Sequence, residues 1–372
     1  EVEKPENGFS MTVAPLTFGD LVVVGVSGGE FGIRGFIVAY DAATGTERWR
    51  FNTIPGPGQP GHETWLNDAW RTGGGPAWIT GSYDVDLDLL YWGVGNPSPD
   101  FQADVRPGDN LYTNSVVALR GTTGELVWHF QFTPNDGHDW DSNQTPILTE
   151  LEIDGVSRKV VLWANRNAFY YVLDAQTGEF LRGVPFVKQN WAEGLDGHGR
   201  PILADTGEVS AVGRRTFPGV GGGTNWYPPA FDPQRKLVFV HANEQGSIFT
   251  KSPVEEIRRA ANGAYLASGA VSSDEPVLSV RALDAATGAL RWQYDEPPPT
   301  LASGFSGLLA TAGGLVFGAA GGFVFALDSS SGRELWRQSV GGNPTAPPIT
   351  FSLDGRQAIA FWGGRALFVY TL

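Results

Sequence analysis

One phrase of twelve residues returns five times along the chain. It reads "VAYDAATGTERW" (38–49), "VALRGTTGELVW" (117–128), "YVLDAQTGEFLR" (171–182), "RALDAATGALRW" (281–292) and "FALDSSSGRELW" (325–336). In four copies an apolar pair leads into Asp; in the second, Arg120 replaces the acid. A Thr/Ser-Gly turn follows, then a segment that ends in Trp in four copies. Recurrence of this kind marks one supersecondary unit used repeatedly. The phrase predicts a hairpin, with Asp capping the turn and Gly supplying positive φ. Its Trp can pack flat between neighbouring units.

A second strand pair precedes several copies, as in "DVDLDLLYWGVGN" (84–96), "DPQRKLVFVHANE" (232–244) and "TAGGLVFGAAGG" (311–322). Four antiparallel strands closing on a Gly-rich hairpin make a propeller blade. A two-sheet sandwich would need five accidental copies of one phrase, so the expected fold is all-β: a β-propeller of four-stranded antiparallel blades in a single domain, 1–372. Counting hairpins gives five blades and a partial one, "QAIAFWGGRALFVYTL" (357–372). Spacing is uneven, so 97–115, 188–215 and 245–276 are expected as loops. Within the last, "VEEIRRAANGAYLA" (254–267) has helical spacing and is expected to form a short helix.

Composition agrees and excludes several functions. The 372 residues include 50 Gly, 25 Pro and 13 Trp, with 41% hydrophobic and 18% charged, which suits a turn-rich β-protein and not a disordered chain. No apolar run approaches the roughly 18 residues of a membrane span. Net charge is −14 and no Lys/Arg cluster appears, which argues against nucleic acid. With no Cys, disulfides, thiolate metal sites and covalent haem attachment are ruled out. The first residues, "EVEKPENG", lack the basic and apolar regions of a signal peptide, so the chain is expected to begin after one or to lack more.

The densest chemistry lies in "NDGHDWDSN" (135–143), where Asp136, Asp139 and Asp141 crowd together. Carboxylates this close raise one another's pKa unless a positive charge holds them. Read as an extended strand, the segment puts Asp139 and Asp141 on one face and His138 on the other. Asp136 reads as a turn cap.

The hairpin phrase resembles the tryptophan-docking motif of quinoprotein alcohol dehydrogenases, which carry pyrroloquinoline quinone (PQQ). "VGVSGGEFGIRGFIVAYDAATG" (24–45), "GGGPAW" (73–78), "YWGVGNPSPD" (91–100), "RPGDNLYTNSVVAL" (106–119), "QFTPNDGHDWD" (131–141) and "WANRNAFYYVLDAQTGEF" (163–180) follow in the family's order across essentially the whole chain. The resemblance implies a fold of eight blades in the family, about six of them represented here. It makes Asp139 the catalytic base and Glu30 and Asn96 metal ligands, with Asp139 beside them. Asp141 falls where lanthanide-dependent members carry an acid and calcium-dependent members a small or neutral residue. Glu, Asn and two Asp form an all-oxygen set for a hard cation, and three carboxylates favour a lanthanide(III) over Ca²⁺.

The same resemblance assigns Thr12 and Ser27, with the backbone of Gly28 and Gly29, to the cofactor's carboxylates. Trp78 matches the stacking aromatic, Arg166 the cation near the reactive C5 oxygen, and Asn225 a ring-contacting amide. The implied reaction is oxidation of a primary alcohol by hydride transfer to the quinone. Asp139 takes the hydroxyl proton and Arg166 stabilises developing charge. The implied setting is the periplasm, with a soluble cytochrome c as electron acceptor because no haem motif is present; a homodimer is compatible with this reading.

Departures are expected to matter. Family members carry about two further blades before this start, with an adjacent-cysteine disulfide, a Glu and an Arg that bind the cofactor. Phe305 stands where many relatives have Trp, and Pro76 where a hydroxyl is common. A non-catalytic assembly scaffold of the same ancestry is the competing reading, but it gives no reason to keep Glu30, Asn96, Asp139 and Arg166 together. A sugar dehydrogenase with the same cofactor fits "HDWD" and "GVSGGE" less well.

Overall fold

In the computed structural model, residues 2–260, 263–296, 306–344 and 346–371 are described. Five consecutive four-stranded antiparallel sheets account for most of the chain, and a three-stranded sheet follows them. Blade 1 is built from Leu16–Phe18, Leu21–Gly25, Phe36–Asp41 and Glu47–Asn52. Blade 2 runs from Ser82–Asp84 to Leu126–Gln131, and blade 3 from Ile147–Ile153 to Phe180–Pro185. Blade 4 runs from Ala230–Asp232 to Leu290–Asp295 and blade 5 from Leu309–Thr311 to Glu334–Ser339. Among the described residues, blade 6 has three strands, Ile349–Leu353, Arg356–Gly363 and Ala366–Thr371. The hairpin count made from sequence, five blades and a partial one, is therefore correct.

The repeated phrase works as its chemistry predicts. In blade 1, Asp41 Oδ1 accepts from the N–H groups of Ala43 (3.1 Å) and Thr44 (2.9 Å). Asp174, Asp284 and Asp328 cap their turns in the same way. The Trp that closes each hairpin then leaves its own blade. Trp49 Nε1 donates to Gly121 O, Trp128 Nε1 to Ala175 O and Trp292 Nε1 to Ser329 O, each at 3.0 Å. Each indole lies on the turn glycine of the following blade; a Cβ on Gly178 would meet Trp128 at 2.6 Å. Blade 3 lacks the Trp, and Val184 and Tyr170 pack on Gly288 instead. Burying an indole removes 150–250 Å² from water, a gross gain of about 4–6 kcal/mol per junction before entropy.

Two sequence expectations fail. The stretches 188–215 and 245–276 are not plain loops. Ala192–Leu195 pairs with Pro201–Leu203, and Arg214–Thr216, Ser247–Lys251 and Ser268–Ser272 form a three-stranded sheet. Among the described residues of 254–267, helical spacing yields one 3-10 turn, Val254–Glu256. Flanking described residues make tertiary bonds instead: Arg259 Nη1 donates to Phe31 O (2.6 Å) and Tyr265 N to Glu30 O (2.6 Å). The segment is thereby drawn across the Glu30 turn. Phe305 lies outside the described residues.

Candidate functional site

The connections between second and third strands of blades 1, 2 and 3, together with the link from blade 2 to blade 3, converge at one place. Each brings a residue singled out from the sequence.

Blade 1 contributes a turn that only glycine permits. Gly28 has φ +122°, and a Cβ there would lie 2.1 Å from Gly8 O. A Cβ on Gly29 would meet Asn96 Oδ1 at 2.8 Å, so the turn presses directly on blade 2. Among the described residues, neither the Gly28 nor the Gly29 N–H has a protein acceptor, an arrangement suited to an anion. Beside them Thr12 Oγ1 and Ser27 Oγ are 2.9 Å apart, and the Thr12 hydroxyl donates to Trp78 O (3.0 Å). The structure thus joins Thr12, Ser27, Gly28, Gly29 and Trp78 into one wall.

Blade 2 contributes Asn96, which is fully buried. Its Nδ2 donates to Asp100 Oδ1 (2.9 Å), while its Oδ1 has no partner among the described residues. An unsatisfied buried amide oxygen costs about 1–3 kcal/mol unless a donor or a cation meets it. The Asn96 N–H donates to Asp141 Oδ1 (2.8 Å).

The link from blade 2 to blade 3 carries Asp136 to Asp141, and here the reason given by the sequence was wrong. The segment is not an extended strand: Asp139 has φ +60°. Asp139 and Asp141 nevertheless face the same cation. Arg166 Nη1 donates to Asp141 Oδ2 at 2.8 Å, and Arg166 Nη2 lies 3.7 Å from Asp139 Oδ2. The turn is set by Asp136, whose carboxylate accepts from the N–H groups of His138 and Trp140, both at 2.9 Å. Asp136 is therefore the turn cap expected of it. His138 stacks on Trp140 at 4.2 Å and pairs with Asp136. Trp140 Nε1 donates to Gly219 O (3.0 Å), which anchors the turn in the interior.

Blade 3 supplies Arg166, buried and held by Val220 O (2.6 Å). Asn225 does not join the cluster; its side chain bonds Gly221 O (3.0 Å) and the Trp226 N–H (2.8 Å).

Sequence reasoning overlooked Asp100 and Arg106. Asp100 lies four residues beyond Asn96 and is fully buried. Both residues stand at the edges of motifs quoted above, but neither had a partner visible in the sequence.

The carboxylates crowd one another. Burial pushes the Asp100 carboxyl well up, and the charges of Asp139, Glu30 and Asp141 add to the effect. Burial likewise pushes Asp139 well up; Arg166 opposes, while Asp141 and Glu30 reinforce it. Asp141 is also raised by burial, with Arg166 and the Asn96 N–H opposing. Glu30 is raised chiefly by burial of its surroundings, although its side chain opens to solvent. Asp136 behaves oppositely: burial would raise it, but the His138 ring and the two N–H donors hold it below the usual range. Four acids, Glu30, Asp100, Asp139 and Asp141, outnumber Arg166 and the Arg106 beside Asp100, and every donor is oxygen. That set fits a hard cation, with Asn96 Oδ1 already turned inward and unpaired. Among the described residues no three Asp, Glu or His side chains close tightly enough to enclose an ion. Asp141 has both oxygens engaged by Asn96 and Arg166.

Residues 1–189 match the family "Glucose/ethanol/alcohol dehydrogenase, beta-propeller domain", and 232–371 match "Outer membrane protein assembly factor BamB". Quinohemoprotein alcohol dehydrogenase ADH-IIG of Pseudomonas putida is 38% identical over 96% of this chain and 54% of its own. Its solved structure superposes with a TM-score of 0.88 at 35% identity, covering 96% of this chain and 56% of that one. A europium-containing methanol dehydrogenase gives a TM-score of 0.88 at 33% identity, with 96% and 66% covered. The chain thus spans about half the length of the curated relatives it matches. Glu30, Asn96, Asp139, Asp141 and Arg166 all fall in the part that matches the dehydrogenase model, and the blades superpose on dehydrogenase propellers. The chain belongs to the PQQ-dependent alcohol dehydrogenase family.

Proposed function

We propose that this chain carries the catalytic face of a PQQ-dependent enzyme that oxidises primary alcohols to aldehydes by hydride transfer to the quinone. One observation supports it most: Asp139 and Asp141 converge on Arg166 while the unpaired Asn96 Oδ1 faces the Glu30 turn. When bound, the quinone supplies the hydride acceptor, and the ion polarises its carbonyl and keeps neighbouring carboxylates ionised.

The chain's own residues do the rest. Asp139 accepts the alcohol's hydroxyl proton, and its partly exposed carboxylate is open to a substrate. Arg166 aims its guanidinium where negative charge grows on the quinone oxygen. The Trp78 indole gives a flat wall for a tricyclic ring. Thr12, Ser27 and the free N–H groups of Gly28 and Gly29 take the cofactor's carboxylates. Glu30, Asn96 and Asp139 hold the ion. Asp141 adds charge that favours a lanthanide(III) over Ca²⁺, a reading supported by the likeness to a europium-containing methanol dehydrogenase. A periplasmic setting and a soluble cytochrome c as acceptor belong to the same reading.

A second reading rests on the match of 232–371 to the BamB family: a propeller used for assembly and not catalysis. Loading the metal-free protein with PQQ and La³⁺ or Ca²⁺, then assaying dye-linked ethanol oxidation, separates the two. Turnover that needs both cofactor and ion supports the enzyme. Absence of binding with either ion leaves the scaffold.

A further inference from the structure

We infer that Asp100 is a positioning residue that fixes the amide of Asn96 so that its oxygen, and not its NH₂ group, faces the ion. The inference rests on the reading of Asn96 as a metal ligand.

A side-chain amide has two orientations of nearly equal shape, and only one presents an acceptor. With the NH₂ group turned inward, Asn96 would repel a cation. The structure selects against that orientation through Asp100, whose Oδ1 accepts from Asn96 Nδ2 at 2.9 Å. Pro97 O lies 3.3 Å from the same nitrogen. With both contacts made, Oδ1 is left pointing at Gly29, buried and unpartnered.

Asp100 must itself be held, and Arg106 holds it. The Arg106 guanidinium is fully buried; its Nε donates to Pro99 O (3.1 Å) and its Nη2 to Asp100 O (3.3 Å). The same Nη2 donates to Asp136 O, on the turn that carries Asp139. One buried cation therefore ties the backbone under Asp100 to the turn of the base. The ligand amide and the catalytic carboxylate are kept in register by a residue that touches neither.

The test titrates the metal-free full chain with Tb³⁺ alone and follows Trp-sensitised luminescence, with melting temperature recorded for every variant. Asp100→Asn keeps an acceptor at Oδ1 and should bind Tb³⁺ within about threefold of the parent. Asp100→Leu, similar in size but without an acceptor, should lose at least tenfold, beyond anything its melting temperature explains. Equal affinity for Asp100→Leu and the parent overturns the inference. So does an equal loss in Asp100→Asn and Asp100→Leu, because the carboxylate would then act by charge and not by orientation. Asn96→Leu separates the underlying reading. If the parent binds no Tb³⁺, or binds it as well as Asn96→Leu does, Asn96 is not a ligand and the positioning role falls with it.

Discussion

Replacing Arg166 with Met removes the one cation that Asp139 and Asp141 share. At an effective dielectric of about 20, unit charges 2.8 Å apart attract by about 6 kcal/mol and those 3.7 Å apart by about 4.5 kcal/mol. Much of that gross attraction is offset by the desolvation of Arg166 itself, which is only 6% exposed. Truncating one partner of a buried pair, however, leaves the other charge without compensation, which costs about 3–5 kcal/mol. Here the penalty should reach that range, because Glu30 and Asp136 add further negative charge beside these carboxylates. For a chain of 372 residues it lowers the melting temperature by roughly 4–6 °C. Differential scanning calorimetry of metal-free Arg166→Met should show this drop. Arg166→Met/Asp141→Leu should recover at least half of it, since the stranded carboxylate is gone. A single mutant that melts within 2 °C of the parent would refute the picture of an overcharged cluster held by one arginine.

Two other substitutions probe separate levels of the structure. Trp128→Ala should cost about 3–5 kcal/mol by emptying the junction of blades 2 and 3. Trp128→Phe should cost less because the ring packing survives, and chemical denaturation followed by far-UV circular dichroism orders the two. Gly29→Ala would set a methyl 2.8 Å from Asn96 Oδ1 and should abolish ion and cofactor loading. Gly19→Ala, a turn with open space around it, should leave loading intact in the same fluorescence titration.

The blades were legible in the sequence because their information is local. Asp41, its turn and Gly45 sit within one hairpin, and the Trp needs only the next copy of the same hairpin. The inserted strands were not legible, because Ser247–Lys251 pairs with Arg214–Thr216 and Ser268–Ser272 across irregular chain. Helical spacing at 254–267 misled because bonds to Phe31 O and Glu30 O outcompete a short, isolated helix. At the site, residue types and order were readable but geometry was not. Asp139 and Asp141 share a target through a left-handed backbone at Asp139, the opposite of the extended strand that alternation suggested. Asp100 and Arg106 stayed hidden because their partners, Asn96 Nδ2 and Asp136 O, meet them only when the loops of blade 2 close on one another.

Glu30, Asn96, Asp139 and Arg166 are proposed to form a working quinoprotein centre. The most direct measurement is dye-linked oxidation of ethanol by the full chain reconstituted with PQQ and La³⁺, set beside Asp139→Asn. Asn tolerates the φ of +60° at this position and has nearly the shape of Asp, so the variant should still quench Trp fluorescence on binding the cofactor. Turnover is expected in the parent, with a loss of at least about 10²-fold in the variant, the scale of removing a general base. Retained turnover in Asp139→Asn, or no cofactor binding by the parent with either La³⁺ or Ca²⁺, would contradict it.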